Sequence, residues 1–400
     1  MTQLRFTQKG TKSSIRARND VLVLQCVAAA GSRFARSDVA RHTGLPAATV
    51  SEIVADLIER RLVREGGRQA QRVGKPRVLL ELDDTHHLFV GVQVTGGRVH
   101  ASRLTLTGRV EQIATAPHQP GEVTPSVIAK TVRQLLRDTD EGSVAGIGVA
   151  VPGIVGDDGL IRAAVNYDWS MLPMGPQISE LCDGLPVHVV NDANAVALSE
   201  VALSVDSAGT VVVIWIGTGV GAGIVLDGRL YRGAEFRSGE IGHVDAGVSL
   251  RCRCGLIGCL ETIAAQPSIH GDADEAVVGR YLAGADDAEV RALGERVTRA
   301  ARELARLLST LAGTLDVTQF ILGGPMTSDP LGPALVRHVN EALALRVMSG
   351  FAPLTLRFST LGTHSVVFGA AAHAIRQELG VMVAMTSDAT ERDQIPTGVR

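Results

Sequence analysis

The stretch RCRCGLIGCLE at residues 251–261 gathers three of the chain's five cysteines within eight positions and sets a glutamate two places after the last. His243 precedes them. Thiolates at Cys252, Cys254 and Cys259 with the His243 imidazole complete a tetrahedral donor set for Zn²⁺ and leave no open position, the pattern of a structural metal. The C-x-C step and the glycines at 255 and 258 let the backbone fold around an ion. A disulfide fits less well, since it leaves a thiol over. A redox pair is more usually C-x-x-C. Arg251 and Arg253 argue against a buried apolar strand. Cys26 and Cys182 read as core thiols.

Other residues are placed for chemistry at turns. Asn191-Asp192 stands between a strand pattern and a helix pattern, where either residue serves as an N-cap. Three glycine-rich turns, TGG (95–97), GTGVGAG (217–223) and GGPM (323–326), would let backbone N–H groups approach a phosphate. None is followed by Lys-Ser/Thr, and none is a dinucleotide fingerprint, so each alone is equally a tight turn.

The elements behind these residues fall into two regimes. From His87 onward, strands alternate with helices. Strand patterns occupy 88–94, 98–106, 144–155, 211–230 and 318–324. Residues 185–203 run from strand into helix, and helices cover 124–139 and 297–315. This is α/β layering with a mainly parallel sheet, repeated in two lobes. With 400 residues and aromatics at only 3%, the expected core is aliphatic and divided among domains. No apolar run approaches the length that spans a bilayer, and the N-terminus has no signal-peptide block. The odd cysteine count then reads as reduced thiols in the cytoplasm.

Before His87 the pattern is different. Residues 1–84 carry 15 Lys/Arg and 9 Asp/Glu, net +6, against net −9 for the remainder. Helical spacing over 21–31 stops at Gly31. Ser37 is expected to cap a short helix that Gly44 ends. A second helix begins near Ala47 with the stripe Val50, Ile53, Val54, Leu57 and Ile58. This is a helix-turn-helix pattern with Ala47, Ala48, Thr49, Ser51 and Glu52 at the start of the second helix, the part that enters a major groove. A hairpin follows, with strands at 62–63 and 78–80. Its basic tip, with Arg68, Arg72, Lys75 and Arg77, would form a wing on phosphates or in the minor groove. Residues 1–18 read as a flexible basic arm and 386–400 as a disordered tail.

GEIGHVDAGVSLRCRCGLIGCLE (239–261) resembles the signature of the ROK family of repressors, open reading frames and sugar kinases. VAVPGIV (149–155), VNYDW (165–169), VVNDANAVALSE (189–200), IGTGVGAGIVLDGRLYRGA (216–234) and ILGG (321–324) match in order and spacing, from about residue 20 to 380. The resemblance implies an α/β, two-lobed, actin/hexokinase-like (ribonuclease H-like) body at 85–385. An α+β winged helix-turn-helix domain at 19–84 would precede it, as in the family's regulators. A sugar would lie between the lobes, with Asn166, Asn191, Asp192, Glu240, His243 and Glu261 as its contacts. Carboxylates and carboxamides suit sugar hydroxyls, which both donate and accept. His243 would bind zinc through one ring nitrogen and face the sugar with the other. Asp192 would be the base in a kinase.

The family's kinases open with Asp-x-Gly-x-Thr. Here Gln93 stands at the Asp and Thr95 at the first Gly, so the first phosphate loop is damaged and ATP with Mg²⁺ is not expected. The expectation is a zinc-holding, sugar-responsive repressor acting on operator DNA as a homodimer or homotetramer, with no catalysis and Asp192 a vestigial base. An ATP-dependent hexose kinase with an added DNA-binding domain is the alternative. A sugar-binding scaffold that contacts protein is a third.

Overall fold

The computed structural model describes residues 12–69, 76–119, 123–137, 139, 143–203, 209–346, 350 and 352–383. Its first unit contains α1 (Lys12–Ala30), β1 (Phe34–Ala35), α2 (Arg36–Thr43), α3 (Ala47–Glu59), β2 (Val63–Gln69) and β3 (Arg77–Leu82). α2 ends at Gly44, whose φ of 71° is left-handed and whose N–H donates to Ala40 O. Leu45-Pro46 then leads into α3. Val50, Ile53, Val54 and Leu57 are buried, so the helical stripe packs inward. The strands form an antiparallel sheet in the order β1-β3-β2.

Several local expectations are corrected here. Ser37 does not cap α2. Ala35 is the capping position, because β1 pairs Phe34 and Ala35 with Leu80 and Leu79 and delivers the chain to the helix two residues earlier. The buried Asp38 carboxylate accepts from Ala35 N at 2.9 Å in place of a serine cap. The basic arm does not extend to residue 18, since 12–18 belong to α1, where Arg16 bonds Asp20 at 3.1 Å. The hairpin's first strand runs on to Gln69 through a bulge between Glu65 and Arg68. Residues 1–11, 70–75 (with Arg72 and Lys75) and 384–400 lie outside the described residues.

The first lobe of the body contains β4 (Leu88–Val94), β5 (Arg98–Thr105), β6 (Val110–Pro117), α4 (Pro125–Leu136), β7 (Val144–Val151), β8 (Ile154–Val155), β9 (Ile161–Ala164), β10 (Trp169–Leu172), α5 (Met174–Leu181) and β11 (Val187–Asn191). Its main sheet has the order β11-β7-β4-β5-β6, parallel from β11 to β4 and antiparallel beyond. A small sheet, β10-β9-β8, lies beside it.

The second lobe contains α6 (Asp192–Leu203), β12 (Val211–Ile216), β13 (Val220–Leu226), β14 (Arg229–Leu230), α7 (Glu261–Ala264), α8 (Gln266–His270), α9 (Glu275–Leu282), α10 (Ala288–Leu315), β15 (Gln319–Gly323), α11 (Gly332–Ala344), β16 (Thr355–Phe358) and α12 (Ser365–Leu379). Its sheet has the order β14-β13-β12-β15-β16, with β12, β15 and β16 parallel.

α6 and α12 join the lobes. One apolar cluster takes Ala150 and Val190 from the first sheet, Val213 and Ile321 from the second, and Ala195, Val196, Val366 and Ala370 from the two helices. The helices approach backbone to backbone at Gly369, where a Cβ would overlap the Ala195 carbonyl. Gly148 on β7 does the same beneath Ala370. The first unit is fastened to this frame. Val23, Leu24 and Val27 of α1 share a core with Phe89, Ala371, Ile375, Val381 and Val383. The Gln25 amide donates to Met382 O at 2.9 Å and accepts from Met382 N at 2.8 Å. Among the described residues, no helix is long and apolar enough to cross a membrane.

Candidate functional site

The loop after β14 folds over itself through short bridges, Asp245 with Cys259 and Arg251 with Ile257. Gly255 and Gly258 adopt φ of 95° and 94°, which a side chain would oppose. These turns bring the donor atoms of His243, Cys252, Cys254 and Cys259 within 4.8 Å of one another. The Cys254 and Cys259 sulfurs are 3.7 Å apart, and His243 Nδ1 is 3.8 Å from the Cys252 sulfur. A tetrahedral ion with metal–sulfur bonds of about 2.3 Å sets its sulfurs about 3.8 Å apart, so the cluster has the dimensions of a zinc site. Burial, then the neighbouring thiols, push Cys259 up to about 12. Without a cation Cys252 and Cys259 are held protonated, and an ion among the sulfurs would favour their thiolate forms.

Beside this cluster, side chains from both lobes converge at the carboxyl ends of the parallel strands. The His243 ring turns its other nitrogen toward Glu240, 3.8 Å away. Glu261 opens α7, and its carboxylate accepts from Val220 N at 3.1 Å while its second oxygen lies 3.7 Å from the Cys252 sulfur. Asn191 caps α6, accepting from Asn194 N at 3.2 Å, and donates to Gly153 O at 3.0 Å. Asp192 is the first residue of α6. Burial pushes it up to about 7, and the Glu240 charge adds to the shift. Burial also raises Glu240, with Glu261 adding and His243 opposing.

Asn166 lies in the short 3-10 turn Val165–Tyr167, but its side chain is outside the described residues. Its neighbour Tyr167, which sequence reasoning left unassigned within VNYDW, packs on Trp169 with ring centroids 4.7 Å apart. Burial, then the Asp192 charge, push its hydroxyl up to about 12. The lobes also touch directly beside the cleft: Arg232 pairs with Asp157, and Arg162 lies over the Phe236 ring at 4.8 Å.

The glycine-rich turns are differently occupied. Gln93 on β4 sits between His100 on β5 and Ala150 on β7. The Thr95 hydroxyl donates to Arg98 O at 2.9 Å and accepts from Arg98 N at 3.1 Å, so it closes its own turn. The turn after β12 is tied to the cysteine loop and the helices behind it. Arg253 donates to Thr218 O at 2.7 Å, and Gln266 N donates to Gly217 O at 2.9 Å.

In the first unit, Ser37, Ala47, Ala48, Ser51 and Arg68 are exposed and Thr49 is half-buried. The Ser51 hydroxyl donates to Ala47 O at 2.9 Å. Arg77, expected on the wing, is half-buried at the start of β3, opposite Gln69, and pairs with Asp38, which also accepts from Arg41 at 2.6 Å. It therefore braces α2 against β3.

Residues 89–377 match the profile of the ROK family, and residues 21–67 that of the IclR helix-turn-helix domain. A glucokinase of Halalkalibacterium halodurans is 31% identical, over 70% of this chain and 93% of that protein. A xylose repressor of Caldicellulosiruptor bescii is 26% identical, over 92% of this chain and 98% of the repressor. Among solved structures, a ROK family transcriptional regulator that is a homolog of the E. coli MLC protein aligns with a TM-score of 0.73 at 24% identity, covering 92% of this chain and 98% of that one.

Proposed function

The chain belongs to the ROK family, and from that premise we propose that it is a sugar-responsive DNA-binding repressor of carbohydrate genes. Residues 19–84 would bind operator DNA and residues 85–385 the effector. The observation that carries this reading is the contrast within the cleft. Asn191, Asp192, Glu240, His243 and Glu261 line the sugar side, while Gln93 and the self-bonded Thr95 hydroxyl occupy the first phosphate turn. An amide there is a poor partner for a hard cation, so sugar binding is retained as a signal and phosphoryl transfer is lost. With Asp192, Glu240 and Glu261 gathered together, the effector is an uncharged sugar, since an anionic one would meet like charge.

His243, Cys252, Cys254 and Cys259 would hold Zn²⁺, which cross-links the loop bearing Glu240 and Glu261 and neutralises the thiolates. Glu261 and Arg253 fasten that loop to the β12–β13 turn. A sugar held by groups from both lobes favours one arrangement of α6 and α12. In a homodimer or homotetramer, α12 passes this arrangement to α1, altering the separation of the two α3 helices. The effect requires only that the sugar prefer one arrangement. Calorimetry against a panel of neutral sugars, paired with operator binding at each saturating sugar, tests this. A sugar that binds and leaves operator affinity unchanged would sink the reading.

The second reading, a hexose kinase, is kept by Asp192. A carboxyl raised to about 7 is suited to accept a hydroxyl proton. Turnover of ATP and Mg²⁺ with a hexose, abolished by Asp192→Asn, would establish it.

A further inference from the structure

The sequence of α3, AATVSEIVADLIE, contains no lysine or arginine. Its buried face is Val50, Ile53, Val54 and Leu57. The outward face is therefore Ala47, Ala48, Ser51, Glu52 and Ala55, all exposed. Four of these five side chains are small, and the Ser51 hydroxyl already donates to the helix backbone. Glu52 is the one long polar side chain on the first two turns of this face, 72% exposed. Its nearest cation, Arg16 of α1, stands at 3.8 Å and is itself engaged with Asp20 at 3.1 Å. Such an exposed pair is weak and leaves the carboxylate available.

A helix of this composition cannot use arginine against guanine, the commonest specific contact in the major groove. It can do two other things. Small methyl-bearing side chains pack on thymine methyl groups, and a carboxylate accepts from the N4 amino group of cytosine. We infer that Glu52 is the base-reading residue of the operator contact, selecting a cytosine in each half-site, with Ala47 and Ala48 against thymine methyls beside it. The carboxylate also excludes. Guanine O6 and thymine O4 are acceptors, so either opposite Glu52 places two unshared acceptors together in a dehydrated groove. Adenine, with its N6 donor and N7 acceptor, ranks between. Phosphate attraction comes from the flanks, where Arg41 is exposed on α2 and Arg68 on β2.

This rests on the DNA-binding reading, and one experiment separates the two. Random double-stranded DNA is selected with the full-length protein, with Glu52→Gln and with Glu52→Ala. Glu52 is exposed, so both variants fold. Wild type should enrich a motif with one position preferring cytosine over guanine or thymine by about tenfold or more. Glu52→Ala should flatten that position to within about twofold while the rest of the motif persists. Glu52→Gln should move it toward adenine, whose N6 and N7 a carboxamide contacts together. An identical motif from all three proteins overturns the assignment of Glu52 and leaves DNA binding standing. Failure of the wild type to enrich any motif overturns both.

Discussion

The His243 imidazole presents Nδ1 to the Cys252 sulfur at 3.8 Å and Nε2 to the Glu240 carboxylate at 3.8 Å. One ring thus borders both the cysteine cluster and the cleft. Cys252→Ser removes a donor and frees that ring. The variant should lose stoichiometric zinc and bind sugar at least about tenfold more weakly, as read by metal analysis and calorimetry on the same sample. Normal sugar affinity in metal-free protein would refute the link.

Asp192 carries a pH signature. Its carboxyl, near 3.8 in the unfolded chain, is raised to about 7 by burial and then by the Glu240 charge. Between these values the folded state holds a proton that the unfolded state has released. Stability from this group is therefore present at low pH and is lost as pH rises through about 7. Melting temperatures across pH 3.5–8.5 should show Asp192→Asn similar to wild type below about pH 4 and increasingly more stable than wild type as pH rises to about 7, with the difference levelling off above it. The sugar arm runs the other way. A hydroxyl donating to an ionised carboxylate binds more tightly, so effector affinity should rise from pH 6 to pH 8, and the rise should vanish in Asp192→Asn.

The crossing of α6 and α12 tolerates no side chain at Gly369. A methyl there meets the Ala195 carbonyl, so Gly369→Ala must push the helices apart. Urea denaturation should show a loss of about 1–3 kcal/mol or more. Gly313, with open space around its Cβ position on α10, should accept alanine with little change and serves as the control.

Gln25→Ala strips the Met382 N–H and C=O of their partners on α1. The expected cost is about 1–3 kcal/mol. Sugar affinity should stay near wild type, while the difference in operator affinity with and without sugar shrinks. A variant that keeps the full difference would show that the response does not travel through this contact.

What the sequence disclosed follows from where the physics is local. The donor set was readable because three thiols, one imidazole and two turn glycines lie within seventeen residues of each other. The α3 stripe and the strands through Val94 and Asn191 were readable because each buries one face, or a short continuous run. α12 was not read, because Ser365–Ile375 is buried on every side and shows no amphipathic period. β1 was missed because two residues carry no period at all, and its pairing with β3 displaced the expected cap at Ser37. Arg77 looked like a phosphate contact because its partner, Asp38, lies thirty-nine positions away in sequence. The ring of Tyr167 beside Asp192 is a tertiary fact of the same kind.

The Gln25–Met382 contact joins positions 357 residues apart. During synthesis the helix-turn-helix emerges before the body, but α1 keeps an apolar flank open until residues 381–383 have left the ribosome. The helix-turn-helix unit is thus completed by the last of the described residues. A nascent or prematurely terminated copy would carry the recognition helix without the support that orients it, so truncated products would compete poorly for operators that the finished protein holds.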